Sequence, residues 1–246
     1  MTRRAARRGR YATAAIGVAV LLAGCDGRRE AAADSPPAVA PAGAPVPASD
    51  APLTPGLAPL TDAALDALQP DGAYVEPDFA AQAAGVAGDR AKYLAWVDTA
   101  LAEDPGLLDL RLERAFQRVR RGDAAGGLAD YATLLARDDL DPFLRRRVHW
   151  YAGWSLLDLG RDAEALAHWR EAERSHRGRP EWVPYTYALP LWRLGRREQA
   201  VAFYAEAVIT DPRWASAAGL QRRTARWQDD ERALIEDVRR AWRAAR

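Results

Sequence analysis

WYAGWSLLDLGRDAEALAHWREAE, residues 150–173, decides how this chain is read. It forms two helical stretches joined by a turn at Gly160-Arg161. Gly153 lies in the first stretch, and in the second Ala165 and Ala172 bracket the aromatic Trp169. Small residues at those places let two helix backbones approach closely while one large ring fills the gap beside them. The pattern returns at Ala188, Gly195, Ala200, Tyr204 and Ala207.

With the turn glycine as marker, Gly88, Gly122, Gly160 and Gly195 fall 34, 38 and 35 residues apart. Each relaxes a tight turn between a first helix, A, and a second, B. Seven residues before them stand Ala81, Ala115, Gly153 and Ala188, all small. Five residues after stand Tyr93, Gly127, Ala165 and Ala200; nine after stand Val97, Tyr131, Trp169 and Tyr204. This register resembles the tetratricopeptide repeat (TPR), a helical hairpin of about 34 residues. Tyr93, and Leu134 at the position taken elsewhere by Ala100, Ala172 and Ala207, depart from the pattern.

The resemblance implies an all-α, TPR-like helical-hairpin solenoid of about four repeats over 75–215, divided as 75–108, 109–146, 147–181 and 182–215. Pro190 falls inside the A helix of the fourth repeat, where it removes a hydrogen bond and predicts a bend. Residues 216–246 read as C-terminal capping helices, since a solenoid leaves its last repeat uncovered and Leu234, Ile235, Val238 and Trp242 form one apolar stripe. Residues 61–74 hold a short lead-in helix, capped at Thr61 or Asp62 and ended by Pro70, with Leu65 and Leu68 expected to dock it on the first repeat.

The N-terminus reads differently. Residues 1–24 carry five Arg, no acid and the short apolar run Tyr11–Leu22, the pattern of a signal peptide. The run is shorter than the roughly 20 residues a membrane-spanning helix needs. It ends Leu22-Ala23-Gly24-Cys25, which resembles the bacterial lipobox. That resemblance implies cleavage before Cys25 and a lipid on its sulfur; an ordinary secretory signal is the alternative. Each buried methylene contributes about 0.8 kcal/mol, so two or more acyl chains hold firmly. Asp26 resembles an inner-membrane retention signal, so the expected place is the cell envelope, facing the periplasm, with the outer membrane as the other possibility. Residues 25–60 form a disordered Pro/Ala-rich tether, because eight of the sixteen prolines and few large apolar side chains fall there. About thirty such residues span roughly 90 Å in the polyproline conformation and roughly a third of that as a coil.

Charge excludes some classes. From Asp26 to Asp104 acids outnumber bases thirteen to four, and from Pro105 onward bases outnumber acids twenty-six to twenty-one. That excess is too thin for a nucleic-acid stripe. Cys25 is the sole cysteine, so no intramolecular disulfide forms and structural zinc lacks its ligands. No cofactor motif, Gly-x-Ser-x-Gly, phosphate loop or His-Glu-x-x-His occurs. His149, His168 and His176 are the only histidines for acid–base work, and each reads as an ordinary surface or groove residue, so no enzyme is expected.

By the family resemblance, A helices line a concave groove. The groove positions fall on Phe116 and Arg120, on Arg147, Trp150 and Trp154, and on Trp182, Tyr185, Trp192 and Arg193. Aromatic rings edged by Arg suit an extended peptide or an inserted helix, and Arg120, Arg147 and Arg193 suit a carboxylate. The alternative for any one ring is packing between repeats. The expected role is a lipid-anchored scaffold that binds envelope proteins; a module for a small ligand or cell-wall fragment is the alternative. On the groove reading, Trp154→Ala or Arg193→Ala weakens partner capture without unfolding the domain.

Overall fold

The computed structural model describes Leu53, residues 57–81 and residues 89–246. The leader 1–24, Cys25, most of the tether and Gly88 lie outside the described residues. Ten α-helices pack on one another, and no β-strand occurs among the described residues. They are α1 (Asp62–Asp66), α2 (Arg90–Glu103), α3 (Leu108–Arg120), α4 (Ala124–Leu135) and α5 (Pro142–Asp158). Then follow α6 (Asp162–His176), α7 (Val183–Arg193), α8 (Arg197–Thr210), α9 (Ala217–Arg223) and α10 (Asp229–Ala244). The arrangement is consistent with a helical solenoid.

Three antiparallel hairpins, α3–α4, α5–α6 and α7–α8, form the body. Their turns need glycine: Gly122, Gly160 and Gly195 have φ of 91°, 75° and 76°, in the left-handed region. The residue after each donates its N–H back across the turn, Asp123 to Arg118, Arg161 to Leu156 and Arg196 to Leu191. That closure satisfies helix-terminal carbonyls. Helix starts are capped locally. Asp123 Oδ1 accepts from Gly126 N–H, and Asp141 Oδ1 accepts from Phe143 and Leu144 N–H ahead of Pro142.

In the first two hairpins the crossing is set by a missing side chain, and in α7–α8 by the small, buried Ala188 and Ala200. A Cβ on Gly127 would fall 2.6 Å from the Ala115 carbonyl oxygen. A Cβ on Gly153 would fall 2.6 Å from Cε2 of Trp169 and closer still to its Nε1. The B-helix rings Tyr131, Trp169 and Tyr204 are fully buried there. Each also uses its polar tip: Tyr131 Oη pairs with Ser155 Oγ at 2.9 Å, Trp169 Nε1 donates to Trp150 O at 3.0 Å, and Tyr204 Oη donates to Trp214 O at 2.7 Å. Gly153→Ala should therefore cost about 1–3 kcal/mol by overpacking, read as a drop in the thermal midpoint.

Two segments part from the expected layout. The lead-in docks on the later hairpins, not on the first repeat. Leu65 is buried, the Leu65 and Leu68 carbonyls both accept from Gln199 Nε2 of α8 at 2.7 Å, and Arg196 pairs with Asp62 and Asp66. The carbonyl end of a short helix needs donors, and Gln199 of α8 supplies them. Residues 73–78 then run without helix, with Glu76 bridged to Pro180. Glu76 precedes Pro77, which favours extended backbone over helix. Residues 79–81 form a single 3-10 turn, so no A helix is present over 75–81. α7 runs through Pro190 as one helix. At the other end α10 lays Ile235, Val238 and Trp242 against α7 and α8.

Candidate functional site

The residues expected to line one groove separate into three places. Arg120 of α3, Trp154 of α5 and Tyr185 of α7 meet the segment that leads into α10, with Phe116 under Arg120 and Trp150 beside Trp154. Trp227 from that segment sits among Trp154, Tyr185 and Trp214, with ring centroids 4.9, 5.9 and 6.1 Å away. Trp154 also meets Trp169 at 5.4 Å and Trp150 at 6.1 Å, so one chain of rings runs from the α5–α6 crossing out to Trp227. Trp150 and Trp154 are each only 5% exposed.

Trp182 lies elsewhere, at the start of α7 under the lead-in, 2% exposed, with its indole donating to Asp78 Oδ2 at 3.1 Å. The Asp78 carboxylate also takes Arg146 Nε at 3.2 Å. Trp192, Arg193 and Arg147 sit at hairpin edges. Arg197 stacks over Trp192 at 4.0 Å. Arg193 pairs with Asp162 at 2.6 Å and bonds the Leu157 carbonyl, and Arg147 pairs with Asp109. Each arginine expected to meet a carboxylate already meets one of this chain.

The charged end of the covered face is a three-residue cluster. The Arg120 guanidinium lies over the Phe116 ring and between two carboxylates, Asp158 of α5 and Glu231 of α10. Glu231 Oε2 also accepts from Gln228 N–H at 2.6 Å, closing the first turn of α10, and Gln228 Nε2 donates to Asp158 Oδ2 at 3.0 Å. Burial pushes the Asp158 carboxyl up to about 8; the Glu231 charge adds to this and Arg120 opposes it. Trp227, Gln228 and Glu231 are not among the residues the sequence places at the groove; Glu231 reads there only as an acid suiting the start of the last helix. Their only signal is a large ring directly ahead of the acidic run Asp229-Asp230-Glu231.

His149 of α5 and His168 of α6 are interior, not surface, residues, 6% and 1% exposed. Their Nδ1 atoms lie 3.2 Å apart, a bond in which one ring accepts and must therefore be neutral. Burial, then Arg145 and Arg174, lowers His149 to about 4, and burial and His149 lower His168 further below the ordinary range. The sign follows from linkage: below pH 6.5 the unfolded chain binds protons that the folded chain refuses, so stability falls as pH drops from about 6.5 through about 4. The His149 share is about 3 kcal/mol. Urea unfolding at pH 7 and pH 4.5 of the wild type and of His149→Gln isolates this share: over that interval the wild type should lose stability relative to the variant.

No helix among the described residues is long and apolar enough to cross a membrane. No family model, curated protein or solved structure matches this chain.

Proposed function

We propose that this chain is a lipid-anchored adaptor of a bacterial cell envelope. In this reading the lipid on Cys25 holds it to a membrane, the Pro/Ala tether spaces it off, and a TPR-like stack binds protein partners. The observation that carries the proposal is the α3–α5–α7 face. It sets the rings of Trp154 and Tyr185 against Trp227 and the Arg120 guanidinium against Glu231, and so already accommodates a peptide segment, Trp227 to Glu231. Large rings with a charged edge are the chemistry of peptide recognition.

In-cell cross-linking of the full-length protein, followed by mass spectrometry, tests it. Recovery of envelope proteins cross-linked to α3, α5 or α7 is the expected result. Recovery of none, with binding of a cell-wall fragment instead, would transfer the face to the small-ligand reading. Cys25→Ala should move the protein from the membrane to the soluble fraction of the same cells.

A further inference from the structure

The segment that covers the α3–α5–α7 face serves its polar atoms poorly. Trp150, Trp154 and Asp158 stand four residues apart, on one stripe of α5. Among the described residues the buried donors Trp150 Nε1 and Trp154 Nε1 meet no hydrogen-bond partner. Arg120 Nε lies 3.3 Å from Asp158 Oδ2, within ion-pair range but without hydrogen-bond alignment. Buried donors without acceptors are costly, so they mark a face that fits some other polar group better. The cover brings a ring with no acceptor for the two indoles, and it sets the Glu231 carboxylate beside that of Asp158.

The grip of α10 on the stack lies elsewhere. Ile235, Val238 and Trp242 hold it to α7 and α8 by apolar contact. Its first turn can therefore lift while the rest of the helix stays docked. We infer that the Trp227–Glu231 segment is a displaceable internal occupant of this face, and that the external ligand is a peptide presenting an aromatic ring and, four residues on, a carboxylate. This rests on the adaptor reading and names the chemistry of its partner. The ring enters among Trp154, Tyr185 and Trp214. The carboxylate meets Arg120. The ligand main chain brings carbonyls to the two free indole N–H groups.

A fluorescein-labelled peptide copying residues 224–236, titrated into the full-length protein, tests this. The Trp227→Ala/Glu231→Gln protein should bind it about ten-fold or more tightly than the wild type, because the wild-type face is already filled. A peptide carrying the same two substitutions should lose that binding. The inference is overturned if the variant keeps wild-type helicity and thermal midpoint yet binds the copied peptide no better. If the variant loses helix, amide exchange on the wild type decides. Faster exchange over 228–232, but not over 235–242, when the copied peptide is added supports a displaceable first turn, and no change on adding the peptide overturns it. Binding of the copied peptide without capture of any envelope protein sustains this inference and removes the adaptor reading. Capture without peptide binding does the reverse.

Discussion

Arg120→Ala should destabilise the folded chain by about 3–5 kcal/mol at pH 8, the range for removing one partner from a buried ion pair. The cause is what remains. Glu231 keeps 2% and Asp158 9% of its side-chain exposure, so two carboxylates would face each other with no cation between them. Two controls separate this from lost packing on Phe116. Adding Asp158→Asn removes one charge and should recover most of the loss. Lowering the pH should do the same, since a carboxyl raised to about 8 takes up its proton well before an ordinary one. In the wild type the Asp158 contribution runs the same way: it is complete below pH 3.8 and is lost as pH rises through about 8. Denaturant unfolding across that window, with Asp158→Asn alone as reference, measures it. The outcome that would refute the account is an equal loss for Arg120→Ala at pH 5 and pH 8.

Trp154→Ala should be as severe, about 3–5 kcal/mol, which for a domain of this size lowers the thermal midpoint by about 10 °C. The ring is 5% exposed and touches the rings of Trp150, Trp169 and Trp227, so its removal opens a cavity beside the α5–α6 crossing. That differs from the sequence-based expectation of weakened capture with the fold intact. Arg193→Ala makes the contrast. Its pairing with Asp162 lies at an exposed hairpin edge, where such pairs contribute about 0–1 kcal/mol. A midpoint for Trp154→Ala within a few degrees of the wild type would return that ring to the surface.

Why the hairpins were legible and their covering was not is a matter of range. Glycine at a left-handed turn, an alanine or glycine at a crossing and a ring nine residues past the turn are local requirements, so Gly160, Gly153 and Trp169 can be read directly from their spacing. Periodicity also places Trp150, Trp154 and Asp158 on one stripe. It does not say what lies against that stripe, because a face lined with rings looks the same whether a partner or the chain's own Trp227 fills it. The lead-in failed for a similar reason. Its helix at Asp62–Asp66 is marked by the Thr61 cap, but the donor that fixes its position, Gln199, lies more than a hundred residues on. Glu76-Pro77 was the local warning against helix there.

Stacked hairpins that touch only their neighbours fray from the ends inward. Here each terminus reaches the hairpin at the other end of the chain: Gln199 of α8 holds Leu65 across 134 positions of sequence, and Arg120 of α3 holds Glu231 across 111. Loosening either end uncovers hairpins that the other end also braces. Such bracing couples hairpins that are distant along the chain, and its closure entropy must be met before the long-range bonds form, which slows assembly relative to an open stack.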